Sequence, residues 1–154
     1  MENKKVTPFI NAITQVLEQF GLTDIQTASV EKKEEMIITS DVTAFVGLVG
    51  EMCGNAAYCF SQDTAKSLAS LMMMGMPISE VDAMARSALA ELSNMITGVA
   101  ITAFADEEEI DLEVTPPTLV SGEDMIFILT FLDTQAIILN TPIGKIEINI
   151  ALEA

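Results

Sequence analysis

The chain has 154 residues, half of them apolar, with 23 acidic and 7 basic side chains and a formal net charge of −16. A field of that sign repels nucleic-acid phosphates and anionic lipid, so neither is expected as a partner, while a basic patch on another protein is compatible with it. Histidine is absent, which removes imidazole acid–base chemistry, Ser-His triads and nearly all common zinc or iron sites, and leaves carboxylates, amides and hydroxyls to do any chemistry.

A chain of this length is the size of one domain, and residues 1–154 are read as one unit with a sizeable core. Mean hydropathy is +0.43, yet no run approaches the roughly 18 uninterrupted apolar residues of a membrane helix. The densest run, residues 125–132, is short and contains Thr130. The opening residues 1–11 lack the pattern of a secretory signal, and a cytoplasmic location is expected. Cys53 and Cys59 have neither CxxC spacing nor further ligands, and read as buried free thiols.

Along the chain, residues 6–20 set Val6, Phe9, Ile10, Ile13, Val16, Leu17 and Phe20 at helical spacing, with Gly21 as a stop. Two β patterns follow at 25–30 and 36–39, and the charged run 31–35 between them reads as a solvated hairpin tip. Residues 44–50 and 55–60 suggest a second hairpin, in which Gly47, Gly50 and Gly54 supply flexibility or close backbone approach. A phosphate-cradling loop is the other use of such glycines, but the Walker-type motif is missing. Residues 64–74 read as a second helix stopped by Gly75 and Pro77, its methionines Met72, Met73 and Met74 packing in the core or in a dimer contact.

The third and longest helix is read from Ser79, with Ser79 and Asp82 as a capping box, to about Phe104. The acidic run 106–109 is placed beyond its end, because carboxylates are unfavourable at a helix C-terminus. The last third is β-rich: 112–114, then Pro116 and Pro117, which break any ladder, then 125–132, 136–139 and 143–152. The expected fold class is α+β, a sandwich-like arrangement of about three helices on an antiparallel sheet of about six strands.

The third helix carries the one constellation with chemical content. At about 100° per residue, with Glu91 set to zero, Asn94 falls near −60°, Ser87 near −40° and Gly98 near −20°. The apolar Val81, Ala85, Ala88, Leu92, Met95, Ile96 and Val99 centre near +90°, so the four residues form an outward stripe, with Glu91 and Asn94 as i, i+3 neighbours. A Glu-x-x-Asn pair alone is an ordinary solvated helix face. Glycine in mid-helix, at a cost of about 1 kcal/mol, is less ordinary and suggests close approach by something else.

The pattern Ser87-x-x-x-Glu91-x-x-Asn94-x-x-x-Gly98 resembles the signature of the CheC/CheX/FliY phosphatases. The resemblance extends to Thr7-Pro8-Phe9 opening the first helix, to the glycine-rich segment from Val46 to Ser61, and to Thr115–Gly122 with its paired prolines. It implies hydrolysis of the aspartyl phosphate of a CheY-like response regulator, with Asn94 orienting the attacking water and Glu91 pairing with the regulator's lysine. Ser87 and Gly98 would support partner approach. Mg²⁺ would come with the regulator, so no cofactor of the chain's own is implied, and a homodimer is. The first helix has Asn11 and Glu18 but not the Glu-x-x-Asn order, so one site per chain is expected, the CheX pattern. A receiver-binding module without hydrolysis, or a relative of flagellar switch components, is the alternative.

Overall fold

The computed structural model describes residues 2–130 and 133–153. Ten elements run α1 (Glu2–Gln19), β1 (Gln26–Lys33), β2 (Met36–Gly50), β3 (Cys53–Phe60), α2 (Gln62–Met72), α3 (Ala83–Glu108), β4 (Leu112–Val114), β5 (Thr118–Thr130), β6 (Thr134–Thr141) and β7 (Gly144–Glu153). The strands form one antiparallel sheet in the order β1-β6-β7-β3-β2-β4, and β5 also pairs with β2. The described residues thus give seven strands where about six were expected.

Alternation decides which strand face meets the helices. Val42, Ala44, Val46 and Leu48 of β2, Ala56, Tyr58 and Phe60 of β3, and Ile146, Ile148, Ile150 and Leu152 of β7 are buried in one core with α1, α2 and α3. Phe9 of α1 meets Phe104 of α3 edge-on, with ring centroids 6.1 Å apart. A second, smaller core lies on the other face, where Met36 and Ile38 of β2 pack on Ala57, Cys59 and Ala151, flanked by Phe45 and Phe127. Register shifts between Ser40 and Val42 let the first half of β2 turn away from the helix layer. Asp41 pins this bend, its two carboxylate oxygens accepting from the backbone N–H groups of Gln62 and Asp124 at 3.2 and 2.9 Å.

Several local expectations are corrected. The predicted strands 36–39 and 44–50 are one strand, because the bend between them keeps its ladder with β5. The charged run 31–35 is not a hairpin tip: Glu31, Lys32 and Lys33 belong to β1, which pairs with β6 rather than β2. By contrast β2 and β3 do form the expected hairpin, from Val42↔Phe60 to Leu48↔Gly54. Gly54 is glycine by necessity, since a Cβ there would collide with the Ala151 carbonyl of β7. Of the apolar run 125–132, Phe131 and Leu132 lie outside the described residues.

The helix ends shift as well. Pro8 lies inside α1 instead of opening it. The earlier turns are tied down by Lys5, whose Nζ donates to the Leu152 carbonyl at 2.8 Å, and by the Lys4–Glu108 ion pair at 3.6 Å. Proline's fixed φ is itself helical, but its ring removes one N–H and crowds the preceding turn, so these two tethers help to hold that turn in the helix. Helix α3 starts at Ala83 with Asp82 alone as N-cap, and Ser79 lies outside it. It also runs on to Glu108, through acidic residues expected to lie beyond its end. Glu109 closes it in the left-handed conformation, its N–H returning to the Phe104 carbonyl. Cys53 is exposed, not buried as expected, whereas Cys59 is buried, and both are free thiols.

Candidate functional site

Helix α3 is held from three directions. At its start, Asp82 Oδ1 accepts from the Ala85 N–H at 3.0 Å. One turn on, the Arg86 guanidinium donates to the Leu119 carbonyl at 2.8 Å and to the Ser121 hydroxyl, both on β5. Its inner face buries Ala85, Leu89, Leu92, Ser93, Ile96, Thr97, Ala100 and Phe104. The two buried hydroxyls are satisfied: Ser93 Oγ donates to the Leu89 carbonyl at 2.9 Å, and Thr97 Oγ1 to the Ser93 carbonyl at 2.8 Å. Tyr58 of β3 shares a 2.7 Å hydrogen bond with Thr97, and burial raises its phenol far above the ordinary range.

This corrects the predicted core direction. The buried set centres about 170° from Glu91, not about 90°. Val81, Ala88, Met95 and Val99 are only partly buried. The apolar set misled because it left out Leu89, Ala100 and Phe104, which are buried; Ser93 and Thr97, polar by name, face inward as well and satisfy themselves on the preceding turn. The consequence is a stripe more nearly opposite the core than expected.

All four predicted site residues share that outer face. Ser87 and Glu91 are exposed, and Asn94 and Gly98 are half-buried. Among the described residues no hydrogen bond or ion pair engages the side chains of Ser87, Glu91 or Asn94. Gly98 is the reverse of Gly54: a Cβ built there meets nothing within 4 Å. The protein's own packing therefore does not require a glycine at this position. Met84, 60% exposed, falls near +20° on the same wheel and extends the stripe about 10 Å beyond Glu91. Sequence reasoning missed both Met84 and the Arg86 clamp; for Met84 the wheel angle was a usable signal, whereas the partners of Arg86 lie more than 30 residues away.

A carboxylate and an amide can hydrogen-bond, orient a water or pair with a cation, and here the two stand together on an open ridge. Among the described residues there is no cluster of three or more His, Cys, Asp or Glu side chains able to hold a metal. Fold and ridge together are those of a class of protein able to meet another macromolecule on one face of a rigid helix.

The chain belongs to the family of the chemotaxis phosphatase CheX, which matches residues 42–135 and so includes the whole of α3. It is 28% identical over 125 residues to the CheY-P phosphatase CheX of Thermotoga maritima, covering 81% of this chain and 80% of that one. Among solved structures, a chemotaxis protein CheX from Desulfovibrio desulfuricans is 25% identical with a TM-score of 0.87, covering 97% of this chain and 99% of that one. A chain of a CheX–CheY–BeF3–Mg²⁺ complex from Borrelia burgdorferi is 26% identical with a TM-score of 0.81, covering 97% of both.

Proposed function

We propose that this protein hydrolyses the aspartyl phosphate of a CheY-like response regulator, docking the receiver domain on α3. Water attacks phosphorus in line, the bond from phosphorus to the aspartyl oxygen breaks, and the products are inorganic phosphate and the free carboxylate. The water's oxygen stays on phosphorus, and its two protons leave with the phosphate, which releases one to solvent near neutral pH. Such a transfer asks chiefly for positioning and charge stabilisation. Asn94 supplies the first: a neutral amide donates and accepts at once, and can hold a water without titrating. Glu91, one turn away, pairs with the regulator's lysine and sets the register of the two molecules. Ser87 and Gly98 let the partner's backbone come close. Mg²⁺ belongs to the regulator in this scheme.

The observation that carries the reading is that Glu91 and Asn94 stand side by side without partners on the open side of a helix whose other side is locked into the core. A time course of labelled phospho-receiver with catalytic amounts of this protein tests it. Accelerated loss of label supports hydrolysis. Docking without acceleration, across the host's CheY-like receivers, leaves only a binding module.

A homodimer fits the same reading. Ile37, Ile126 and Ile128 are 40%, 68% and 65% exposed, and they adjoin one another through the pairs Ile37↔Ile128 and Thr39↔Ile126. Clustered exposed isoleucines of this kind mark contact surfaces. They belong to the β2/β5 ribbon over the second core, so pairing there leaves α3 free for the receiver. A cytoplasmic setting, where phosphorylated receivers occur, is part of the proposal.

A further inference from the structure

The docking ridge runs directly into a groove that the proposed chemistry does not use. Between α1 and α3 lies an open channel of about 570 Å³, floored by Val16, Met95 and Val99, walled by Gln15 of α1, and ended by Asp106 and Glu107. Gly98 belongs both to the stripe and to this groove, and its missing Cβ leaves the passage between them unobstructed. The groove starts one helical turn from Asn94, about 6 Å along the axis. A standard protein interface covers roughly 800 Å² on each side, about 30 Å across. A receiver seated on Glu91 and Asn94 therefore covers the mouth of the groove.

We infer that this groove is a side-chain pocket for the response regulator, taking an apolar side chain that projects beside the regulator's active site and is followed by a basic residue. The inference rests on the docking mode proposed above. The floor fixes the apolar part: above the closed-off Val16, 1% exposed, Met95 and Val99 are only partly buried, leaving apolar surface that gains by being covered and that methionine can reshape. The end of the groove fixes the charge. Asp106 and Glu107 are both exposed at the C-terminal end of α3, where the helix dipole adds to their negative field and favours a cation. Asn94 and Glu91 would set the chemistry, and the groove would set which receivers are accepted.

Filling the groove from its α1 wall tests this without touching the ridge. With phospho-receiver as substrate, Gln15→Trp should raise KM about tenfold while kcat stays within about twofold, a loss typical of blocking one anchoring contact. Glu18→Trp, on the same helix but outside the groove lining, should leave both constants unchanged, and the melting temperature should match the wild type in both variants. Asp106→Lys should raise KM further at low salt than at high salt. An unchanged or lowered KM for Gln15→Trp, or a fall in kcat alone, overturns the inference. The underlying docking mode is judged separately by Asn94→Ala: full turnover in that variant overturns the mode, whatever Gln15→Trp does.

Discussion

Replacing Gly98 with alanine separates what the fold needs from what the partner needs. Gly98 lies ten residues from the end of a 26-residue helix, its φ is not among the positive ones, and an added Cβ would meet nothing within 4 Å. Alanine should therefore recover the helix-propensity cost of glycine, about 1 kcal/mol. For a domain of this size that raises the melting temperature by about 2–4 °C. The same methyl group would stand on the proposed docking face, between the Glu91–Asn94 pair and the groove. A displacement of the receiver by about 1 Å is enough to cost up to a hundredfold in turnover, because in-line attack tolerates little misplacement. Thermal unfolding by circular dichroism, with phosphate release measured on the same sample, reads both effects. A variant that is more stable and at least tenfold slower is the expected outcome. A lower melting temperature would show that the glycine serves the fold, and unchanged turnover would remove Gly98 from the interface.

Arg86→Ala removes two hydrogen bonds from a charged donor to β5; it should cost about 2 kcal/mol in urea unfolding and slow turnover by loosening the start of α3. Ile128→Glu should convert a dimer to a monomer in sedimentation velocity while preserving phosphatase activity per chain. The pH dependence of stability follows from Cys59. Burial, the neighbouring Glu147 carboxylate next, pushes its thiol up from 9.0 to about 12, against the smaller opposing effects of Asn149, Thr43 and Lys33. The unfolded chain therefore loses this proton above about pH 9 while the folded chain keeps it. Stability from this group is complete below pH 9 and is lost on the way to pH 12, at up to about 1.4 kcal/mol per pH unit. Denaturant titrations at pH 7 and 10.5 should show a smaller pH-dependent loss for Cys59→Ala than for the wild type.

Periodicity made the helices and the last strands legible. Ile146, Ile148 and Ile150 alternate because β7 has one face on the helices, and that pattern needs no knowledge of the partner strand. Pairing was less legible. The solvated residues 31–35 look like a turn tip, yet β1 runs to the opposite edge of the sheet to meet β6, a choice made by contacts more than 100 residues apart. The end of α3 was misread because its acidic residues argue against a helix locally, while Phe104 and the pairing of Glu108 with Lys4 carry it onward. At the site, the wheel placed Ser87, Glu91, Asn94 and Gly98 on one outward face, since helical geometry is local. Its angle to the core was wrong by about 80°, because the apolar set left out Leu89, Ala100 and Phe104, and because Ser93 and Thr97 also face inward, Thr97 toward Tyr58 from a distant strand. The groove beside Gly98 was invisible for the same reason: it exists only once α1 lies against α3.

The most direct test of the proposed hydrolysis is the behaviour of Glu91 and Asn94 under single-residue substitution, with docking and turnover measured apart. Affinity for a receiver loaded with beryllofluoride and Mg²⁺ reports docking, and phosphate release from the phosphorylated receiver reports chemistry. Asn94→Ala should bind within a few-fold of the wild type and lose about a hundredfold or more in turnover, whereas Glu91→Ala should lose affinity first. Turnover by Asn94→Ala at the wild-type rate would contradict the account.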